Sequence, residues 1–309
     1  MGTSWHATLN SVPVGVRAET LQAGIEQVLK TVNNQMSTWQ PDSELSQFNQ
    51  HRSLDWFPVS APLVDVVETA LQVSAFSDGV YDITVGPLVN LWGFGAGQAA
   101  EQPVPTEAEV QTALAKTGYH KLIVQKNPPA LRKTDPDLYV DLSSIAKGYG
   151  VDQVGLYLEG QAVHDYMVEI GGEVRTRGSS PRGDDWRIAI EKPVDLGRAV
   201  QQGMRLHGAG LATSGDYRNF FTDHGKRYSH TLDLKSGHPV EHSLASVSVV
   251  ADNTTLADAY ATMLMAMGEK KALDFAEQQG LSAYFIWRTD QGFATQATPA
   301  FQPLLIEGQ

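Results

Sequence analysis

The sequence predicts a mixed α+β fold. Segments with the 3.6-residue apolar period of helices alternate along the chain with short runs of branched and aromatic residues, which are typical of strands. Hydrophobic residues make up 42% and charged residues 19% of the 309 residues, the balance of a globular protein with a packed core. No repeat, low-complexity tract or long linker interrupts the pattern. We therefore expect one compact domain over residues 1–309, in which two subdomains would share a cleft.

Three helices are predicted in the N-terminal part of the chain. Apolar residues from Leu21 to Val32 recur at the spacing that places them on one helical face. The segment from Pro62 to Phe76 follows the same period. Thr106 and Glu109 have the spacing of a capping box, which predicts that a third helix begins there.

Short strands are predicted between and after these helices. They are rich in branched or aromatic residues and are bounded by turn formers. The predicted strands are 121–124, 166–170, 187–190, 244–250 and 283–287. Segments 93–105 and 178–185 are dense in Gly, Pro and polar residues, so we expect surface loops there.

The charge and the absence of cysteine exclude several classes of function. Lys and Arg number 23 against 35 Asp and Glu, a net charge of −12, and no basic run occurs, so nucleic acid is not an expected partner. Without cysteine there is no thiol nucleophile and no thiolate-bound zinc. The longest apolar stretch, 259–267, has about half the length that a membrane-spanning helix needs. A divalent cation would still allow this acidic chain to bind a phosphorylated small molecule.

Asp258 and Thr262 form a candidate metal site. Asn253 caps a predicted helix that continues through Met267, and the four-residue spacing places Asp258 and Thr262 on one face of that helix. A carboxylate and a hydroxyl on an otherwise small and apolar face are hard oxygen ligands that suit magnesium. The alternative is structural: Asp258 would serve the helix dipole and Thr262 would bond to a backbone carbonyl.

Residues 139–149 predict a strand that turns into a helix. The free N–H groups of a helix start favour anions, and Lys147 adds a positive charge there, so a phosphate group could bind. Alternatively, Ser143 or Ser144 is only an N-cap. Glycine-containing segments 171–172 and 213–217 are consistent with close approach of a ligand or with tight turns.

Three histidines lie close together in the sequence. His238 and His242 match the H-x-x-E-H pattern of one class of zinc peptidases, but Gly237 and Pro239 break the helix that this pattern requires, so we reject zinc. His230 precedes a turn and is a candidate general base; a structural role is the alternative.

Taken in chain order, these segments resemble the ApbE family, the FAD:protein FMN transferases. The resemblance covers nearly the whole chain, and eight short motifs occur in the family's order. They lie at 1–3, 36–43, 81–88, 141–148, 171–172, 213–215, 229–230 and 258–262. The resemblance implies a single ApbE-like α+β domain.

The resemblance also implies an activity and its residues. The enzyme would bind FAD with Mg²⁺, cleave the pyrophosphate, transfer FMN to a Ser or Thr hydroxyl of a partner protein and release AMP. Ser144 through its carbonyl, Asp258 and Thr262 match the magnesium ligands, and His230 is the candidate base. The positions that match FAD contacts are Met1, Trp39, Val80, Tyr81, Asp82, Asp141, Lys147 and the backbone of Leu232.

Partner, location and alternatives follow from the same resemblance. Expected acceptors are flavinylated subunits of sodium-pumping NADH:quinone reductases (Nqr), Rnf-type complexes or nitrous-oxide-respiration regulators. Family members are typically periplasmic lipoproteins anchored to the inner membrane, yet this sequence shows no signal peptide and no lipid-bearing Cys. Segment 233–237 departs from the family's Asp-Pro-x-Thr-Gly by lacking the proline. The alternatives are an FAD pyrophosphatase that uses water as acceptor and a flavin-binding carrier without turnover.

Overall fold

A seven-stranded antiparallel sheet is the largest element of the computed structural model, which describes residues 2–96, 104–194, 197, 199–217, 220–223 and 226–306. Within these residues the α-helices, in chain order, are α1 (Ala18–Met36), α2 (Glu44–Gln50), α3 (Ala61–Phe76), α4 (Gly86–Leu91), α5 (Glu107–Leu114), α6 (Ala146–Gly160), α7 (Thr254–Met267) and α8 (Glu269–Gln278). The described helices include none that is both long and apolar enough to cross a membrane.

The strands form one large sheet and several small ones. In chain order they are β1 (Trp5–Leu9), β2 (Phe57–Pro58), β3 (Leu122–Lys126), β4 (Pro129–Lys133), β5 (Tyr166–Ile170), β6 (Glu173–Arg177), β7 (Trp186–Glu191), β8 (Val200–Leu206), β9 (Gly210–Gly215), β10 (Phe220–Asp223), β11 (Lys226–Ser229), β12 (Leu232–Asp233), β13 (His238–Pro239), β14 (Leu244–Ala251), β15 (Ser282–Thr289) and β16 (Gly292–Ala297). The large sheet has the order β1-β5-β6-β9-β14-β15-β16, and all its neighbouring strands are antiparallel.

The chain divides into two compact units. The first unit consists of Met1–Lys30, Lys147–Arg218 and His242–Gln309, and it contains the large sheet with α7 and α8. The second unit consists of Thr31–Ala146 and Asn219–Glu241, and it contains α2 to α5 and the small sheet β2-β4-β3. The mixed α+β fold class is confirmed.

The predicted helices form where the sequence pattern places them. In the first unit, Leu21 and Ile25 of α1 pack with Val151 of α6 and Tyr166 of β5, so the apolar face of α1 is buried. The capping box is present at the start of α5: the Glu109 N–H donates to the Thr106 side chain, and the Glu109 carboxylate accepts the Thr106 N–H. These helices and the predicted strands at 121–124, 166–170, 187–190, 244–250 and 283–287 are confirmed within a few residues.

Helix α7 lies against the large sheet. It packs on β9 and β14, and its buried side chains include Ala257, Ala261 and Met265. The Asn253 side chain accepts the N–H of Leu256 and caps the helix as predicted. The sheet and the cap therefore hold α7, and the side chains that it carries, in a fixed position.

One local prediction was wrong, and in the segment 213–217 only Asp216 and Tyr217 bend away from a strand. The segment before α6 forms no strand, because the side-chain amide of Asn49 takes the place of a strand partner and bonds both the N–H and the carbonyl of Val140 at 2.8 Å. Segment 213–215 lies within β9 and is not a turn: Ser214 pairs with Val247 of β14. Both outcomes depend on partners far away in the sequence.

Candidate active site

In the first unit, the carboxylate of Asp258 lies against the start of α6. Asp258 Oδ2 accepts the backbone N–H of Gly148 at 2.9 Å, and only 2% of the Asp258 surface is exposed. A Cβ atom on Gly148 would lie 2.2 Å from the Thr254 carbonyl oxygen, so only glycine allows α6 and α7 to approach this closely. The sequence predicts that this helix start binds a phosphate group. One of its N–H groups instead binds a carboxylate of the chain itself.

Lys147 lies between two carboxylates. Its Nζ donates to Glu173 Oε1 at 2.8 Å and to Asp258 Oδ1 at 3.4 Å. Glu173 is the first residue of β6 and directly follows Gly171-Gly172, two residues with positive φ that close the β5–β6 hairpin. This tight turn brings Glu173 back toward the sheet interior, where only 2% of its surface is exposed.

Burial and charge act against each other in this cluster. Desolvation disfavours the ammonium of Lys147, but the carboxylates of Asp258 and Glu173 outweigh it and hold the pKa of Lys147 above its usual range. Burial raises the pKa of the Glu173 carboxyl, and the Lys147 charge opposes that rise. Lys147 is therefore a permanently charged group, and its side chain is still 33% exposed to solvent.

Thr262 lies one helical turn beyond Asp258 on α7. Its Oγ1 is 3.2 Å from the Oγ of Ser214 on β9. The predicted alternative, a bond from Thr262 to a backbone carbonyl of its own helix, is not the contact that the structure shows. Asp258 therefore has Thr262 one turn away on the same helix and Lys147 of α6 within 3.4 Å.

In the second unit, Tyr81 and Ser144 are in contact. The Ser144 hydroxyl donates to the Tyr81 hydroxyl oxygen at 2.9 Å, and the Tyr81 ring is buried. Ser144 belongs to the turn that precedes α6. In that turn the Asp141 side chain accepts the N–H of Ser143 at 2.8 Å, so Asp141 rather than a serine closes the turn.

Asp82 holds a turn of the second unit together. Its Oδ1 accepts both the N–H and the hydroxyl of Thr84 at 2.7 Å, and its Oδ2 accepts the N–H of Tyr119 at 2.6 Å. Burial raises the pKa of the Asp82 carboxyl against these bonds. Both oxygens thus have partners within the fold, which gives Asp82 a structural function in addition to the FAD contact that the resemblance implies.

The remaining predicted residues of the second unit differ in exposure. Trp39 is 68% exposed, which leaves its ring free to stack on a flat ligand. Val80 is half-buried, and Leu232 is buried in β12. The His230 ring is half-buried, with its centroid 6.3 Å from that of Phe94. The predicted FAD contact Met1 lies outside the described residues.

The loop after His230 is ordered without the family's proline. The backbone N–H of Lys235 and the hydroxyl of Ser236 donate to the Asp233 carboxylate at 3.0 and 2.9 Å. The N–H of Gly237 donates to the Asp233 carbonyl at 2.7 Å, and the Gly237 carbonyl accepts the indole N–H of Trp92 at 2.8 Å. The hydrogen bonds of Asp233 therefore hold the turn in place of the backbone rigidity that a proline would provide.

The two histidines of the H-x-x-E-H pattern bond separate groups of the fold. None of the described residues form a group of three or more His, Cys, Asp or Glu side chains able to hold a metal ion. His238 bonds Glu107, and His242 Nε2 lies 2.8 Å from the Met265 carbonyl oxygen. His238 begins a short strand rather than a helix, as the sequence argument requires.

The donor set at Asp258 suits magnesium. Asp258 supplies a carboxylate and Thr262 a hydroxyl, and both are the hard oxygen ligands that magnesium prefers. Magnesium usually keeps several waters and binds substrate phosphate, so a site with few protein carboxylates is consistent with it. These residues could hold the metal, and Lys147 could contact a phosphate group.

The sequence gives no role to three side chains that hold this site together: Glu173, Ser214 and Asp152. Asp152 of α6 accepts the N–H of Thr254 at 3.0 Å and that of Thr255 at 2.8 Å, at the start of α7. The glycine pair before Glu173 is a signal for a hairpin that returns this carboxylate to the sheet. Nothing in the sequence around Asp152 indicates its partners.

Comparison with known proteins gives one consistent result. The chain matches the ApbE family over residues 1–285. It is 45% identical over 305 residues to an FAD:protein FMN transferase of Vibrio cholerae, covering 99% of this chain and 90% of that protein. It is 41% identical over 308 residues to an FAD:protein FMN transferase of Escherichia coli K12, covering 99% and 87%.

The solved structures agree with the sequence comparison. The flavin transferase ApbE from Vibrio cholerae superposes with a TM-score of 0.90 at 44% identity, covering 99% of this chain and 96% of that chain. Since the family match spans residues 1–285 and these relatives cover nearly the whole chain, the chain belongs to the ApbE family.

Proposed function

We propose that this chain is a magnesium-dependent FAD:protein FMN transferase. One observation carries the proposal: a buried carboxylate, Asp258, is held against a helix start beside Lys147, with the Thr262 hydroxyl one turn away. That is an arrangement for a divalent cation and a phosphate group. It occurs in a chain that is 45% identical to a protein of that name.

The proposed reaction is a phosphoryl-group exchange. The hydroxyl oxygen of a Ser or Thr on the partner protein bonds to the phosphorus of the FMN half of FAD. The bond between that phosphorus and the bridging pyrophosphate oxygen breaks, and AMP leaves with the electron pair. The hydroxyl proton passes to His230. The products are a phosphoester-linked FMN on the partner protein and AMP.

The residues of the chain contribute position and charge to this reaction. Asp258, Thr262 and the Ser144 carbonyl would hold Mg²⁺, which when bound would draw negative charge away from the pyrophosphate. Lys147 would neutralise a phosphate oxygen, and the exposed Trp39 would stack on a ring of FAD. The other FAD contacts would be Met1, Val80, Tyr81, Asp82, Asp141 and the Leu232 backbone.

Partner and location follow from the resemblance. We propose that the acceptors are flavinylated redox subunits of the Nqr and Rnf types or regulators of nitrous-oxide respiration. A periplasmic, lipid-anchored form of the protein would meet such subunits at the inner membrane.

One assay tests the proposed function. The protein is incubated with FAD, Mg²⁺ and an acceptor fragment that carries the family's target pattern Asp-x-x-Ser/Thr-Gly-Ala-Ser/Thr, and the intact mass of the fragment is measured. We expect a mass gain of one FMN, and no gain on a fragment in which both Ser/Thr positions of the pattern are replaced by Ala. Release of FMN and AMP without a mass gain would identify a pyrophosphatase. FAD binding with neither product would identify a carrier.

A further inference from the structure

Lys147 is shared by two buried carboxylates of the first unit. Its Nζ is 2.8 Å from Glu173 Oε1 and 3.4 Å from Asp258 Oδ1. Both carboxylates are 2% exposed. The ammonium is therefore closer to Glu173, although Asp258 is also within reach. We propose that Glu173 is a positioning residue that holds Lys147 away from Asp258, so that Asp258 stays available to a divalent cation. This inference rests on the proposed metal site.

Lys147 and a divalent cation would compete for one oxygen of Asp258. Lys147 faces Asp258 Oδ1, while Oδ2 is already engaged by the Gly148 N–H. A divalent cation that binds Asp258 must therefore share or displace the ammonium, because two cations at one carboxylate oxygen repel each other strongly at low dielectric. Glu173 gives Lys147 a second anionic partner, so the ammonium keeps an ion pair when the cation binds Asp258.

Removing the charge of Glu173 changes this balance. Among the described residues, Asp258 would then be the remaining carboxylate that pairs with Lys147. The two would form a neutral ion pair in which the carboxylate is buried and the lysine is partly exposed, and the cation would have to break it. Breaking a buried ion pair leaves an uncompensated charge, which is strongly unfavourable. The affinity for the cation should fall although no proposed metal ligand has changed.

The second oxygen of Glu173 argues against a purely structural function. In the described part of the chain, Glu173 Oε2 is buried and has no hydrogen-bond partner. Asp82 and Asp152, two other buried carboxylates, use both oxygens to bond backbone N–H groups. Glu173 leaves one oxygen unpaired and directs the other to Lys147. A buried carboxylate with so few partners is costly to the fold, so it is better explained by a function at Lys147.

The test measures Mn²⁺ binding by electron paramagnetic resonance without FAD, at about pH 8, where a carboxylate of raised pKa is also ionised. Mn²⁺ prefers the same hard oxygen ligands as Mg²⁺. We expect Glu173→Gln to weaken Mn²⁺ binding about 10- to 100-fold, the usual effect of changing a group outside the ligands that controls how a metal ligand is held. Glu169→Gln is the matched control, because this partly exposed carboxylate lies on the same hairpin but bonds His6 and the Gly172 N–H; it should bind as the wild type does.

A double variant separates positioning from damage to the fold. Adding Lys147→Met to Glu173→Gln removes the competing ammonium, so Mn²⁺ affinity should return to within about threefold of the wild type, as expected when the two residues are energetically coupled. Failure of this rescue, or wild-type affinity in Glu173→Gln, overturns the inference.

Asp258→Asn is measured in parallel. If Asp258→Asn retains full Mn²⁺ affinity, the proposed metal site itself is wrong; if it loses affinity while Glu173→Gln does not, only the inference about Glu173 fails.

Discussion

The carboxylate of Asp258 on α7 accepts the backbone N–H of Gly148 on α6 at 2.9 Å. Asp152 of α6 makes the reciprocal contact and accepts the N–H groups of Thr254 and Thr255 at the start of α7. Each helix thus satisfies unpaired amides at the start of the other. This mutual capping fixes the two helices relative to each other, although they are far apart in the sequence. It therefore also fixes the position of Asp258.

Gly148→Ala should push the two helices apart. The new Cβ would lie 2.2 Å from the Thr254 carbonyl oxygen and 2.8 Å from the Asp258 Cβ. We expect the free energy of unfolding to fall by about 1 to 3 kcal/mol, measured by urea denaturation, and Mn²⁺ affinity to fall with it. The control is Gly160→Ala at the other end of α6, where a Cβ meets nothing within 4 Å; a similar loss there would contradict the steric explanation.

Asp152→Ala should destabilise the fold more than an exposed carboxylate does. It removes the acceptor of two backbone N–H groups and of the Arg175 guanidinium, which donates to Asp152 Oδ1 at 2.8 Å. Because these groups are buried, we expect a loss of about 3 to 5 kcal/mol in the free energy of unfolding. Asp274→Ala on the exposed side of α8 should change it by less than about 0.5 kcal/mol. Equal effects of the two substitutions would exclude the capping function.

His230→Ala should separate binding from transfer. If His230 takes the proton of the acceptor hydroxyl, the rate of FMN transfer should fall about 10²- to 10⁴-fold while FAD affinity is kept. FAD affinity is measured by quenching of flavin fluorescence and transfer by the acceptor mass assay. His164→Ala, at an exposed position, should leave both unchanged. A wild-type transfer rate in His230→Ala would show that another group or solvent accepts the proton.

Lys133 should make stability depend on pH. The residue is 1% exposed, and its ammonium bonds the carbonyls of Phe48 and Asn49. Burial, aided by the charge of Arg52, lowers the pKa of Lys133 to about 8. The unfolded chain, with a pKa of 10.5, therefore binds more protons than the folded chain between these two values. The free energy of unfolding should rise as the pH increases from about 8 to about 10.5, by up to about 3 kcal/mol.

The variant Lys133→Met tests this pH dependence. It should remove the rise between pH 8 and 10.5 in urea denaturation curves, and the lost bonds to the carbonyls should lower stability at all pH values. Lys30→Met, an exposed lysine, should leave the pH profile as it is. A profile of Lys133→Met that still rises would assign the effect to other groups.

Local patterns predicted the helices well because their determinants are close in sequence. The capping box of Thr106 and Glu109 and the cap of Asn253 both join residues three apart, and both form as predicted. The strand predicted before α6 fails for the opposite reason. Its backbone partner is the side chain of Asn49, 91 residues away from Val140, and no local pattern encodes that contact.

In the candidate site, too, local relationships were predicted and contacts between residues far apart in the sequence were not. Spacing alone placed Asp258 and Thr262 on one helical face but left a structural and a catalytic interpretation open; the resemblance to the ApbE family favoured the second. Neither argument predicted that Lys147 contacts Asp258, since the two are 111 residues apart. Asp152 acts through Thr254 and Thr255, which are 102 and 103 residues away, and Glu173 acts through Lys147, which is 26 residues away. Such contacts follow from the fold and not from the neighbouring sequence.

The strand order of the large sheet has a consequence for the biogenesis of the protein. β1 pairs with β5 across about 160 residues. One edge of β9 has no strand partner until β14 forms, and α7 with Asp258 follows β14 in the chain. A high contact order of this kind slows folding, since distant segments must meet before their pairing stabilises them. The first unit cannot complete its sheet until the strand ending at Ala297 has been synthesised. We therefore expect nascent chains to expose unpaired strand edges on the ribosome and to need protection from aggregation there.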